Sequence, residues 1–553
     1  MDTHSANLPV SLSIGMRDGT LLQGCHWTPA VSSPSLPLLL CRTADAPEEL
    51  SALCRHCAGM GYGVFLQSVR GHGASGGQFR PFVQESSDGE DTLQYLLRET
   101  SWCRFGILPF GFGYAGQTAL ALAMRTPPEL LSGLALSGVT ASHFHSGLCT
   151  NGLLHGEALF SLARWLPPAQ RPSRAVFAKW LSHLRWQPGL SPFSALPSLE
   201  EWVLTARAST SLDAFWKNPA LCPQAFLRHL PNTPVFLCGG TTALTGGGTL
   251  ELAKALSAHN TASVEFWMGS WDDEVLADYD IHSPVCRRML DWLAQFAAKT
   301  MHSSHGLRNI HYLIQDLDGE NDWQHWSNWP SLCLGNQEFY LQPGQLTIGL
   351  PNGISSCDYL DNPLSPPPAP QTRSWGFTHV QPVFGPQRLP LAIRSDTLAF
   401  TSEPFTAEMR LLGVPRLRLR VSSSRPDTQF LARLVALPPS PAPPSRSRVI
   451  AYGAIRLSLR YGSDNPVAFS PGTDSSTTLG FSLSPTACRL SAGCRLRLEV
   501  SSNDFPRFPL STNSLPPSGK AFLPTPRTAR NTIEFDARGT SRLTLCTLNK
   551  DPP

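Results

Sequence analysis

The chain has 553 residues, of which 41% are hydrophobic and 15% charged, and a formal net charge of +3. Its length exceeds what one hydrophobic core supports and implies about two to four domains. The composition excludes a disordered chain, and the absence of any long basic run excludes nucleic acid and anionic membrane as partners.

The N-terminus, MDTHSANLPV, lacks a basic region followed by an apolar one. No apolar stretch approaches the ~18–20 residues of a membrane span. The expectation is a soluble, unexported, cytoplasmic protein. The 14 cysteines are scattered. Cys54 and Cys57 form a lone C-x2-C, and Cys41 and Cys238 sit inside predicted buried strands. They read as buried reduced thiols, with no metal and no cofactor expected.

In chain order, residues 8–29 read as a hairpin turning at Met16-Arg17-Asp18-Gly19. Pro37–Cys41 is a short apolar strand and Glu48–Met60 a helix. Gly63–Val69 is the next strand, followed by the loop Arg70–Phe79. Asp88–Glu99 reads as an amphipathic helix. Phe105–Phe110 is a strand, Gly111–Gly116 (GFGYAG) a sharp turn, and Gln117–Arg125 an Ala- and Leu-rich helix. By itself GFGYAG also fits an ordinary Gly-rich turn between strand and helix. Further strands are predicted at Gly133–Ser137, Pro234–Cys238 and Val264–Met268. Short apolar strands alternating with helices predict an α/β fold, a parallel sheet with helices on both faces.

Between Ala141 and Leu230 the pattern is helical, with Trp165, Trp180, Trp186, Trp202 and Trp216 and no evident strand. This stretch reads as a helical cap over the sheet, its aromatics packing helices, lining a pocket, or both. After about residue 300, runs of period two appear, as half-exposed strands require: Arg416–Val421, Ala454–Tyr461 and Cys494–Val500. The Pro-rich segments Pro363–Pro370 and Pro438–Pro444 read as loops or short linkers. About ten such strands make a β-sandwich or jelly roll. The expected division is a core at 1–140 and 231–305, a cap at 141–230, and a connecting segment with the jelly roll at 306–553.

Several segments match one family in order. They are MRDG at Met16–Gly19, RGHGASGGQF at Arg70–Phe79, EDTLQYL at Glu90–Leu96, Trp102, and GFGYAG at Gly111–Gly116. Downstream follow GSWDD at Gly269–Asp273, VSSSRPDTQF at Val421–Phe430 and LEVSSNDFPRF at Leu498–Phe508. This ordered set resembles the cocaine esterase and X-Pro dipeptidyl-peptidase group of serine hydrolases. The resemblance implies an α/β-hydrolase core with an inserted helical cap and a C-terminal jelly roll.

It also implies where the chemistry belongs, and there the residues differ. The family's elbow, G-x-S-Y-x-G, puts its nucleophilic Ser on Gly113. The acid falls on Ala243, and the His of G-P-W-x-H falls on Asp273. The oxyanion-stabilising Tyr of R-T-P-Y falls on Asp45, or on Ala44 with a shift of one, and the Asp of D-x-R-G is Ser68. Without the hydroxyl no acyl-enzyme forms, and without His nothing activates it. Asp45 beside an oxyanion pocket would repel developing negative charge. The remaining donor is the backbone N–H of Tyr114.

Gly73-Ala74-Ser75-Gly76-Gly77 matches G-x-S-x-G literally, but its loop lacks the strand–turn–helix context. His282, after Asp273, is a displaced base or a solvent-facing residue. His143, His145 and His155 open the cap without a third ligand at metal-site spacing. Asp272 and Asp273 are candidate proton donors if one carboxyl has a raised pKa, or plain loop carboxylates. The expectation is a hydrolase-like protein without serine-hydrolase chemistry. It binds a small apolar molecule in a pocket built by Asp45, Gly113, Tyr114, Ala243 and Asp273. It catalyses, if anything, a cyclisation, isomerisation or dehydration in specialised metabolism. An unconventional esterase or peptidase using Ser75 with His282, and a non-catalytic partner protein, are the alternatives.

Overall fold

The computed structural model describes residues 9–29, 36–183, 185–259, 262–298, 308–327, 334–365, 395–440, 447–515 and 525–548. Most of Pro363–Pro370 and of Pro438–Pro444 lies outside the described residues. The core begins with strands β1 (Val10–Gly15), β2 (Leu21–Trp27) and β3 (Leu38–Thr43), then helix α1 (Pro47–Gly59). Strand β4 (Val64–Ser68), α2 (Glu85–Glu99), β5 (Ile107–Phe112), α3 (Tyr114–Ala123) and β6 (Leu134–Ser137) follow.

The cap carries the short strands β7 (Cys149–Thr150) and β8 (Leu153–Leu154), then α4 (Gly156–Leu162), α5 (Arg174–Ser182) and α6 (Pro197–Ala208). The antiparallel pair β7–β8 stands in a stretch where the sequence showed no strand. Two residues per strand are too few for a period-two signal. The core resumes with β9 (Val235–Gly240), α7 (Gly246–His259), β10 (Val264–Gly269), the short α8 (Asp273–Leu276) and α9 (Pro284–Ala297).

In the sheet β1 pairs with β2 and β2 with β4, both antiparallel. From β4 the order runs β3, β5, β6, β9, β10, all parallel. Strands β3, β5 and β9 are buried along their whole length, as inner strands covered on both faces must be. Alternation assigns the faces. Phe236 and Cys238 join the cluster of α1 and α9. Val235 and Leu237 join that of α3 and α7.

The sheet continues past residue 305. Strand β11 (Arg308–Asp316) lies parallel to β10, and β12 (Asn321–Trp326) turns back antiparallel to it. The end of β11 also pairs with the strand Thr486–Leu490, so core and C-terminal β-domain share hydrogen bonds. That domain is built from antiparallel pairs such as Gln429–Leu437 with Arg448–Arg456. The period-two run Ala454–Tyr461 is strand only to Arg456, and Leu457–Leu459 is a 3₁₀ turn. The buried Asp427 carboxylate accepts the Ser458 N–H at 2.9 Å, which draws the chain out of the ladder.

Two glycines set the turn from β5 into α3. Gly113 has φ 52° and ψ −116°, outside the range side chains favour. At Gly111 an ideal Cβ would lie 2.5 Å from the Ala115 carbonyl oxygen, so the helix approaches the strand only because that Cβ is missing. Beside this turn, buried Arg42 of β3 reaches Gln67 of β4 at 2.9 Å and the Glu85 carbonyl of α2 at 2.6 Å. Among the described residues no helix is long and apolar enough to cross a membrane.

Gly111→Ala is therefore expected to cost about 1–3 kcal/mol through overpacking. Gly59→Ala is the control: nothing lies within 4 Å of its added Cβ, and the change is expected to be neutral or mildly stabilising. Thermal unfolding of the two variants checks this. Equal melting temperatures would mean that the turn tolerates a Cβ.

Candidate functional site

A cavity of 830 Å³ lies at the C-terminal ends of the parallel strands, beneath the cap. Its size suits a small molecule, for which pockets run about 300–1,000 Å³. Gly113 and Tyr114 of the turn, Gly138 after β6, and Asp272 to Val275 with Ala277 to Tyr279 after β10 reach it from the core. His143, Leu148, Glu157, Phe160, Trp165 and Arg174 reach it from the cap. The Tyr114 ring packs 4.6 Å from Phe82 and 5.2 Å from Trp165, centroid to centroid. Its hydroxyl donates to Glu85 Oε1 at 2.7 Å, which fixes the ring.

The loop after β10 folds onto the elbow. Asp272 Oδ1 accepts the N–H groups of Glu274 at 3.1 Å and Val275 at 3.0 Å, capping α8. Ser137 Oγ donates to the Leu276 carbonyl at 2.7 Å. The next residue, Ala277, stands where a Cβ on Gly113 would meet it at 3.5 Å.

The adjacent carboxyls Asp272 and Asp273 thus differ. Asp272 is a helix cap. Asp273 is half-buried in the cavity wall, and its Oδ2 accepts the Leu244 N–H at 2.9 Å. Burial raises its pKa to about 7 against the lowering effect of the Leu244 and Thr245 N–H groups, and the neighbouring Asp272 and Glu157 carboxylates raise it further.

Gly113, Tyr114, Asp272 and Asp273 are brought together on one cavity, and two expected members are not. Ala243 lies on a neighbouring cavity of 390 Å³, with Leu244 as the shared wall. The tight turn from Gly240 through Ala243 to Gly246 directs it there. Asp45 is not on the wall of the larger cavity. Its Oδ1 accepts from Arg164 of the cap at 2.5 Å and its Oδ2 from the Tyr279 hydroxyl. Arg164 and Tyr279 both line the cavity. Asp45 is therefore a paired charge holding two wall residues, not a bare repulsive one.

Ser75 Oγ donates to the Ser68 carbonyl and accepts the Gln23 N–H, both at 2.8 Å, and braces its loop. His282 is exposed in a surface groove beside Trp267 and Arg288, away from the cavity. His143 lines the cavity, and burial lowers its pKa to about 3, so it is neutral. His145 lines the neighbouring cavity, and His155 is buried against Thr150. Among the described residues no group of three or more His, Cys, Asp or Glu is placed to hold a metal. Sequence reasoning missed Tyr279 and the Glu157–Arg174 pair, 2.8 Å apart. They belong to no motif, and the cap's pattern does not say which residues turn inward.

Residues 18–272 match the model of the X-Pro dipeptidyl-peptidase (S15) family. Residues 308–544 match that of the X-Pro dipeptidyl-peptidase C-terminal non-catalytic domain. The chain is similar to cocaine esterase of Rhodococcus sp. (strain MB1 Bresler), 24% identical over 91% of this chain and 92% of that protein. Its fold is similar to that of an aminopeptidase from the marine sediment archaeon Thaumarchaeota archaeon, with TM-score 0.77 and 18% identity over 99% of this chain and 98% of that one. An α-amino acid ester hydrolase superposes with TM-score 0.74 and 18% identity over the same shares, 99% and 98%. By its sequence matches and its architecture together, the chain resembles the cocaine esterase and X-Pro dipeptidyl-peptidase (S15) family of α/β-hydrolases.

Proposed function

We propose that this hydrolase-like chain does not hydrolyse through a serine. It binds a small, largely apolar molecule in the 830 Å³ cavity, and Asp273 serves there as a proton donor. The observation that carries this reading is the elbow: the turn keeps its geometry, but Gly113 offers no nucleophile and Ala277 stands over it. Three of the wall hydroxyls are engaged otherwise, and the fourth, Thr245 Oγ1, is buried with no hydrogen-bond partner. Tyr114 donates to Glu85, Ser161 to the Ala158 carbonyl and Tyr279 to Asp45. Among the described residues no wall hydroxyl is hydrogen-bonded to a histidine, as an activated nucleophile requires.

A carboxyl with a pKa about 7 in a largely apolar enclosure suits proton transfer at neutral pH. The reactions that fit are those in which a held molecule reacts with itself after protonation: cyclisation, isomerisation or dehydration. The substrate is a small molecule. The reading requires no cofactor, metal, nucleic acid or membrane, and cytoplasmic specialised metabolism is its setting.

A fluorophosphonate probe is expected to leave the intact mass of the protein unchanged. Gly113→Ser alone should restore little, because an unassisted hydroxyl attacks poorly. Any gain should need Ala243→Asp and Asp273→His as well, since triad members act as a unit. Labelling of the native chain, or saturable ester hydrolysis by it, would sink the proposal.

The protonation of Asp273 has its own test. Its folded pKa, about 7, lies above the ~3.9 of a free Asp. The stability this group contributes is full below about pH 4 and is lost as pH rises through 7. Asp273→Asn removes that dependence. Its stability relative to the native chain should therefore improve by about 2–3 kcal/mol between pH 5 and pH 8, measured by urea unfolding. Turnover that depends on the carboxyl should fall over the same rise in pH. A constant difference between variant and native chain would show Asp273 to be ionised throughout.

A further inference from the structure

Between the cap and the β-domain lies a smaller cavity of 50 Å³, remote in kind from the large one. Gly152, Leu153 and Leu154 of the cap hairpin and Pro509 and Leu510 of the β-domain form its apolar walls. Arg207, Thr210, Gln429 and Arg456 are its polar members.

Arg207, at the end of α6, is 7% exposed. Its guanidinium stacks 4.1 Å above the buried Trp186 ring. That contact satisfies one face and none of the N–H donors. Its Nε has no hydrogen-bond partner, and among the described residues no carboxylate offsets its burial. Burial alone lowers its pKa to about 10, so it is still charged at neutral pH. The C-terminal end of α6 adds a partial negative charge, but far less than one unit.

Arg456, the second cation, is bound to the buried Asp427 at 3.0 Å, which neutralises it. The Nε of Arg456 is buried and unpartnered as well. Two guanidiniums against one carboxylate leave an excess of one positive charge. A buried charge without a partner is among the costliest features a fold can carry. Water in the cavity would satisfy donors but leave the charge.

We propose that this cavity holds one small monovalent inorganic anion of halide size, chloride being the common case, between Arg207 and Arg456. The volume supports this choice. It exceeds the ~30 Å³ share of one water and falls far below the ~300 Å³ at which organic ligand sites begin. The anion joins α6 of the cap to the strands that start at Gln429 and end at Arg456, so it ties the cap to the β-domain.

The test uses the full chain in sodium bromide and in sodium chloride, with sodium gluconate holding ionic strength constant. Crystals grown in bromide should show one anomalous peak beside Arg207 and Arg456. Replacing gluconate by chloride should raise the melting temperature in a saturable way, on the order of 1–3 °C. Arg207→Met should abolish that response and be no less stable than the native chain in gluconate, because an apolar side chain there needs no counter-ion. A bromide map with no peak at the site overturns the proposal, as does an equal chloride response in Arg207→Met. If Arg207→Met does not fold, the bromide map of the native chain decides alone. None of these outcomes bears on the reading of the large cavity.

Discussion

The close approach of α3 to the end of β5 is the constraint on which the rest of the site depends. It exists because Gly111 has no Cβ and because Gly113 tolerates a positive φ. The approach puts the first turn of α3 at the floor of the cavity and carries Tyr114 to its wall. Nothing in that geometry needs a nucleophile. The cost of this strand-to-helix turn and its compensation are both in the backbone and in the packing around it.

The loops around this turn pack against it. The loop after β10 forms a helical turn capped by Asp272 and pinned by Ser137, and Ala277 rests against the elbow. Asp273 hangs from the Leu244 N–H of the loop after β9. A backbone donor and a side-chain acceptor thus join the two loops. The competition at Asp273 is between desolvation, which favours the neutral acid, and the backbone N–H groups of Leu244 and Thr245, which favour the carboxylate. Desolvation wins, and nearby Asp272 and Glu157 add to it.

The cap and the β-domain are not appendages to this core. Arg164 of the cap holds Asp45 at the end of β3, and β11 runs from the core sheet into the ladder of Thr486–Leu490. Cap residues close the cavity: Trp165 meets Tyr114 edge to face, and the Glu157 carboxylate helps to raise the pKa of Asp273. The chemistry of the site is therefore shared between parts of the chain far apart in sequence.

Much of this was legible in the residues themselves. Alternating apolar runs and helices gave the core strands within a residue or two, because inner strands of a parallel sheet leave a continuous apolar signature. The glycines at 111, 113 and 116 marked the turn, because only a close backbone approach demands them. That position 113 is a glycine is visible without any structure. The roles of Asp272 and Asp273 were not separable, since two adjacent carboxyls look alike until one caps a helix and the other is desolvated. Asp45 read as a bare charge because its partners, Arg164 and Tyr279, stand 119 and 234 residues away. By itself, then, the sequence determined the order of elements and the absence of a side chain at Gly113, both of which are local facts. Only the tertiary structure decided which charges are paired, which are buried and which side chains face the cavity. Those depend on contacts between distant segments, and the strength of each charge depends on how much water those contacts exclude.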